Sequence, residues 1–284
     1  MTVYLQRLAA GETPTADEWN EHVVAFHRAF GDENPASLFR TADGDTSYRV
    51  AARRVRELAP HARDVLDIGC GNGSLLAEIE RAYDDGIRLH GIDLSGDEVA
   101  RAHANLPRAS ILCADAASDF GKARFDVIVA HFSLLIMARV RKVLANAAAA
   151  LRSGGAVAFI TEDVSVEDSI FALAGSAFAA LRHRLPAIGT PIPEREPVER
   201  DDALLSLLED AGLRDARIER FVMRATLSRE QLWEWVRHTY IVGLLDHTMQ
   251  RELREALDVR ADAAAGADGR MTIALPLRFV TARA

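Results

Sequence analysis

A chain of 284 residues, 49% of them hydrophobic, carries enough apolar mass for a large core, as one domain with a helical elaboration. Its formal charge of −8 offers no basic field to a phosphate backbone, so nucleic acid is excluded as the expected partner and a small molecule is favoured. No apolar run reaches the length of a membrane span, Met1–Thr15 lacks a signal-peptide core, and Cys70 and Cys113 have no zinc or redox spacing, so a reduced cytoplasmic protein is expected.

Thr15 and Glu18 form a capping-box pair, after which Trp19, Val23, Phe26 and Phe30 recur at helical spacing until Gly31. A second helix is predicted over 45–59, stopped by Pro60. Strand-like and helical runs then alternate: strand 64–68, helix from Ser74, strand 87–93, helix from Ser95 with Glu98 completing a second capping box, strands 110–115 and 125–130, a helix near 137–151, and strand 156–162. That alternation predicts a parallel sheet with helices on both faces. Further on, 166–184 reads as one long helix and Pro186, Pro191, Pro193 and Pro197 as a stiff connector. The remainder reads as helix 200–211, strand 216–225, a helical insertion over 228–264, and a last strand within 271–282 that Pro276 should interrupt. The predicted organisation is an N-terminal helical cap segment, 1–60, and an α/β domain, 61–284, with cap insertions at about 164–200 and 228–264.

Residues 65–75 read Val-Leu-Asp-Ile-Gly-Cys-Gly-Asn-Gly-Ser-Leu, an apolar strand, an acid and a turn with glycine at alternate positions. Gly69, Gly71 and Gly73 have no Cβ, so the turn can take positive φ and let a polar ligand approach amide N–H groups left free at the next helix start. A dinucleotide loop wants a third glycine where Ser74 stands. With Asp67 two residues before the first glycine, the segment fits D-x-G-x-G-x-G, and here the chain resembles the class I S-adenosylmethionine (SAM) dependent methyltransferases that act on small molecules. The resemblance implies a seven-stranded Rossmann-like sheet in the order 3-2-1-4-5-7-6, six strands parallel and one antiparallel, flanked by helices. Connections leaving strands five and six start at the sheet's carboxyl edge, where open α/β sheets bind ligands, so helical cap elements are expected over the active site.

The resemblance further implies S-adenosyl-L-methionine as cofactor and S-adenosyl-L-homocysteine as product. It brings Gly69, Cys70, Gly71 and Gly73 to the cofactor's amino-acid part, with Asp67 near the ammonium or ordering the loop. Asp93 would accept hydrogen bonds from both ribose hydroxyls, Leu94 would cover the adenine, and Asp115 with the Ala116 amide would meet the adenine amino edge. Attraction to the positive end of the following helix is the competing explanation for Asp93, and for Asp115 it is that acids are common at strand ends. His131 ends the fourth strand at the topological switch point and is expected either to act as a general base or to form the cofactor wall. Tyr48, Phe132, Glu162, Trp233, Trp235, His238 and Tyr240 are substrate-pocket candidates, although aromatic residues at helical spacing also pack cores. No H-x-x-x-H or H-E-x-x-H pair occurs, so no metal is expected. The predicted activity is methyl transfer to a small organic metabolite by a monomer or homodimer away from membranes, with oxygen favoured as acceptor because of His131. The alternatives are a SAM-binding cyclase-like enzyme or scaffold that does not methylate, and an NAD-dependent oxidoreductase.

Overall fold

Helix and strand boundaries in the computed structural model, which describes residues 1–31, 35–83, 86–189 and 198–284, fall where side chains supply or withhold backbone hydrogen bonds. After α1 (Val3–Ala9), Thr15 and Glu18 close a reciprocal capping box that starts α2 (Ala16–Phe30), and Thr46 caps α3 (Ser47–Leu58). The alternating region follows as β1 (Asp64–Ile68), α4 (Ser74–Tyr83), β2 (Arg88–Asp93), α5 (Gly96–Asn105), β3 (Ser110–Cys113), β4 (Phe125–His131), α6 (Val140–Ala150) and β5 (Leu151–Glu162). The chain continues through α7 (Ile170–Phe178), α8 (Asp201–Asp210), β6 (Arg214–Leu227), α9 (Arg229–Arg237), α10 (His247–Ala264) and β7 (Met271–Arg283).

Among the described residues seven strands form one sheet in the order β3-β2-β1-β4-β5-β7-β6, the expected order. β1 pairs parallel with β2 and β4, β4 parallel with β5, and β7 antiparallel with β5. Every residue of β1 is buried, as a central parallel strand covered on both faces requires. Leu66, Ile68, Ile128, Val157 and Phe159 share a core with Leu144 of α6 and Leu207 and Leu208 of α8. Each such fully buried side chain contributes about 1.5–3 kcal/mol of transfer free energy. At the sheet's amino edge Asp64 takes two 2.6 Å hydrogen bonds from Arg88 and a 2.8 Å ion pair with Arg152, which also pairs with Asp126.

The chain divides into two compact units: a sheet unit, Asp45–Asp163, Glu194–Phe221 and Leu277–Ala284, and a helical unit, Met1–Gly44, Val164–Pro193 and Val222–Pro276. α3 therefore belongs to the sheet unit, and the N-terminal segment outside it ends at Gly44 rather than at residue 60. The helical unit has its own interior, where His22 is fully buried between the Thr2 hydroxyl and the Tyr240 carbonyl, both 2.6 Å from its ring nitrogens.

Several local expectations are corrected. The long helix over 166–184 is shorter, because Ser169 caps α7 by accepting the Ala172 N–H and the helix gives way after Phe178 to a 3-10 turn, Ala179–Leu181. The helix expected near 137–151 begins only at Val140, behind a 3-10 turn at Leu134–Ile136, and Leu151 already opens β5. Pro276 does not interrupt the last strand: pairing with β5 begins at Leu277, so the missing proline N–H is not needed there. The helical insertion is two helices, α9 and α10, separated by a short turn at Val242–Leu244. Pro191, Pro193 and Pro197 of the expected connector lie outside the described residues.

Candidate active site

Parallel register brings four strand ends to one edge. Ile68 lies beside Ile92, Asp67 beside Val129 and His131 beside Ile160, so the glycine turn after β1, Asp93 at the end of β2 and His131 at the end of β4 are neighbours by topology. Gly69, Gly71 and Gly73 all have positive φ, at 72°, 51° and 83°. At Gly69 a Cβ would stand 2.5 Å from Ser133 Cβ, a contact only glycine permits. Ser133 is itself fixed by donating a 2.7 Å hydrogen bond to the Ile68 carbonyl, which ties the β1 and β4 ends together.

The amides of Gly69, Cys70, Gly71 and Gly73 in the turn itself, and that of Ser74 at the helix start, are satisfied internally. Gly69 and Cys70 donate to the Ile92 carbonyl at 2.8 and 3.0 Å, Gly73 to the Cys70 carbonyl at 3.0 Å, and Ser74 to Asn72 Oδ1 at 3.2 Å. Gly71 donates to Asp93 Oδ2 at 2.8 Å, while Asp93 Oδ1 accepts from the Ser95 N–H at 2.9 Å. Asp93 thus folds back onto the loop, anchored by the Gly71 and Ser95 amides. Ser95 starts α5 by accepting the Glu98 N–H, whereas the Glu98 carboxylate pairs with Arg101 at 2.7 Å.

Carboxyl groups dominate this edge. Asp67 is 1% exposed, and its Oδ1 is shielded from solvent without a hydrogen-bond partner. Burial, and then the charge of Asp93, push the Asp67 carboxyl well above the usual carboxylate range. Burial and the same acids also push the Cys70 thiol up, leaving it a small inert side chain. Beyond β3, Asp115 caps its own turn by accepting the Ala117 N–H at 2.8 Å and faces Arg139 at 3.8 Å; Leu94 and Ala116 are half-buried.

At the end of β4 the His131 ring stacks on Tyr48 at 4.1 Å and meets Phe132 edge-on at 4.2 Å, with Nε2 2.9 Å from Ser47 Oγ. Burial pushes its imidazole down to about 3, so it is neutral near pH 7 and a weak proton acceptor. Phe132 holds φ at +59°, a conformation a bulky residue rarely adopts, anchored by its N–H bond to Ile160 at 2.9 Å. Glu162 sits half-buried at the tip of β5, next to Asp163, which is 3% exposed and bonded to Arg220 at 2.8 Å.

Asp67, the three glycines, Asp93, His131, Tyr48, Phe132 and Glu162 all belong to the sheet unit, as do Cys70, Leu94, Asp115 and Ala116. Trp233, Trp235, His238 and Tyr240 belong to the helical unit. There Trp233 is buried under Arg254, Trp235 packs on Phe171, His238 bonds the Glu234 carbonyl at its own helix end, and Tyr240 packs on Phe26. Sequence reasoning did not single out Ser47, Ser133 or Arg139, and it read Glu98 only as a capping residue. Ser47 had a signal of sorts, lying just after the helix cap Thr46 and before Tyr48, but its partner is 84 residues away. Among the described residues no group of three or more His, Cys, Asp or Glu side chains is placed to hold a metal ion, and no helix is long and apolar enough to cross a membrane.

Residues 65–155 match the family described as methyltransferase domain. The trans-aconitate 2-methyltransferase of Delftia acidovorans is 28% identical over 273 residues, covering 89% of this chain and 98% of that protein. The nocamycin O-methyltransferase of Saccharothrix syringae is 28% identical over 267 residues, covering 85% and 93%. Among solved structures the 4+2 cyclase SpnF superposes with a TM-score of 0.56 at 18% identity, over 95% of this chain and 97% of that one, a likeness of fold alone. The strand order, the acid-tipped β1 with its glycine turn and the matched domain make this chain a class I SAM-dependent methyltransferase.

Proposed function

We propose that the protein transfers the methyl of SAM to a carboxylate oxygen of a small organic acid. The observation that carries this reading is the setting of His131, the side chain placed to be a base: its ring lies against Tyr48 and Phe132, its Nε2 is engaged by Ser47, and burial lowers its pKa to about 3, so that it is neutral at pH 7 and a weak base. A general base works best with a pKa near the operating pH, so an alcohol or phenol would find little help from it. A carboxylic acid ionises at a pKa of about 4 and arrives already nucleophilic at neutral pH. The relative named for trans-aconitate, a carboxylic acid, supports the same acceptor class, and the one named for O-methylation of nocamycin supports oxygen as the acceptor atom.

SAM, when bound, supplies a methyl already activated on a positively charged sulfur. Asp67 would meet its ammonium, the turn at Gly69, Cys70, Gly71 and Gly73 would pass close to its amino-acid part, and Asp93 would take the ribose hydroxyls. Leu94, Asp115 and Ala116 line the adenine end. The loop chemistry supports this cofactor over a dinucleotide, because the buried acids Asp67 and Asp93 beside the turn suit an ammonium rather than a pyrophosphate. Tyr48, His131 and Phe132 form a rigid wall, with Ser47 fixing the imidazole, and holding the acceptor in line with the S–CH₃ bond against such a wall can supply on the order of 7–11 kcal/mol.

Isotope-labelled SAM offered with a panel of carboxylic acids, including trans-aconitate, beside phenols, alcohols and amines tests the proposal. A methyl ester, recognised by release of labelled methanol in mild alkali, is the expected product. Alkali-stable methyl on a hydroxyl or nitrogen, with no ester from the acids, overturns it.

A further inference from the structure

Asp67 is a carboxyl group in an unusual position: near the carboxyl end of the central strand β1, 1% exposed, with an oxygen that receives no hydrogen bond. An ionised carboxylate left this way is costly, and proteins relieve the cost by pairing it or by protonating it. Among the described residues nothing pairs with it. β2 contributes Asp93, whose carboxylate is of like charge. The turn contributes Cys70, a buried thiol whose ionisation is suppressed. β4 contributes His131, which is neutral. α5 contributes Glu98, whose Oε2 lies 3.8 Å from where a Gly71 Cβ would stand, and the basic residue beside it, Arg101, is bonded to Glu98.

We infer that Asp67 holds a proton in the cofactor-free protein and gives it up to solvent when a ligand bearing an ammonium group binds, so that cofactor binding and proton release are coupled at this one side chain. The inference rests on the SAM site proposed above. An ammonium placed against Asp67 supplies the hydrogen-bond donor and the positive charge that its surroundings lack, and so favours the ionised form. The proton leaves Asp67 for the buffer, no covalent bond changes, and the bound pair is a carboxylate with an ammonium. The energetic logic also separates the two acids: Asp93 is already anchored to the Gly71 and Ser95 amides, whereas Asp67 has no such anchor.

Calorimetric titration of the purified full chain tests this at pH 6.0, where a ligand α-ammonium, with a pKa near 7.7–8.0, is itself fully protonated and contributes no proton of its own. SAM and S-adenosylhomocysteine are each titrated in buffers of low and high ionisation enthalpy. The expected result is release of about one proton per ligand bound for both. Methylthioadenosine, which keeps the adenosine and lacks the ammonium, is expected to bind with no release. Asp67→Asn, an isostere of the protonated acid, should fold with an unchanged unfolding midpoint and bind SAM without proton release. Where the variant does not bind, the wild-type affinity for SAM between pH 5 and 7 decides: a rise of about tenfold per pH unit supports the coupling and a flat profile overturns it. Buffer-independent heats with SAM, or equal release with methylthioadenosine, also overturn it. No heat with any adenosyl ligand overturns the cofactor reading instead, a different and recognisable failure.

Discussion

Gly69→Ala should be the most damaging of the single-methyl additions in the cofactor turn, by an amount the geometry sets. The new Cβ would stand 2.5 Å from Ser133 Cβ and 2.9 Å from Ser133 Oγ, and φ is +72°. The left-handed backbone costs an L-residue about 1–2 kcal/mol, and forcing a methyl into a packed site about 1–3 kcal/mol more, so a loss of about 2–5 kcal/mol is expected. Gly71→Ala is the internal control, because φ is +51° but the nearest atom, Glu98 Oε2, is 3.8 Å away, leaving only the conformational cost of about 1–2 kcal/mol. Ser133→Gly removes both obstructing atoms together with the 2.7 Å bond to Ile68, and on its own should cost about 1 kcal/mol. In the double variant the clash with Ser133 is gone and only the flexible Met137 Cε, at 3.2 Å, has to give, so the two losses should fall short of their sum by about 1–3 kcal/mol, read from urea unfolding of the wild type, the two single variants and the double variant. Additivity within about 0.5 kcal/mol, or equal losses for Gly69→Ala and Gly71→Ala, refutes the steric argument.

Asp64→Asn should destabilise the protein at pH 7 by about 2 kcal/mol, since Arg88 first and Arg152 next draw the Asp64 carboxyl from 3.8 down to about 2. The folded value is the lower one, so this stabilisation is present above pH 4 and lost as pH falls toward 2; the gap between wild type and variant should close over that window in acid titrations of stability. His22 works over a higher range, because burial lowers it from 6.5 to about 4, which is worth about 3 kcal/mol held above pH 6.5 and lost as pH falls to 4. His22→Gln should flatten that part of the stability profile, and an unchanged slope contradicts the assignment. Asp93→Ala removes the acceptor of the Gly71 N–H and should weaken SAM binding at least tenfold by calorimetry, equivalent to about 1.4 kcal/mol; unaltered affinity contradicts its place in the site.

Parts of the fold that depend on local pattern are legible in the amino-acid sequence. Val65–Ile68 is apolar apart from Asp67 because β1 is covered on both faces, and alternate glycines appear where the backbone turns with positive φ. Contacts between distant segments are not legible in this way. Nothing near Asp93 says that its carboxylate folds back on an amide 22 residues earlier. Nothing near His131 announces Ser47 or the burial that lowers its basicity. Pro276 reads as an interruption because a sequence does not show that the neighbouring strand pairs only from Leu277 onward. Arg278 reads as one charge in a strand, yet it is fully buried and donates to the Val198 and Glu199 carbonyls, Thr161 and Asp201, satisfying groups 77 to 117 residues away.

The charge pattern of the site bears on which acceptor can react there. Methyl transfer from a sulfonium to a carboxylate joins a cation and an anion into two neutral molecules, so charge is destroyed on the way to the transition state and a water-poor setting assists it. Transfer to an alcohol with a histidine as base ends with an imidazolium in place of the sulfonium, and the wall would then have to stabilise that new cation. His131 is poorly placed for this: enclosed between Tyr48 and Phe132, it has its Nε2 opposite a neutral hydroxyl, and burial already disfavours its charged form. The features that make His131 a weak base make the same pocket wall suitable for a reaction that consumes charge, which is the physical reason for proposing a carboxylate acceptor. The pH profile of turnover separates the two routes. With an ionised acceptor and a neutral wall, kcat should show no limb from His131 between pH 5 and 8, and His131→Gln should keep that flat profile; a limb near neutrality that disappears in His131→Gln would establish the base and with it a hydroxyl acceptor.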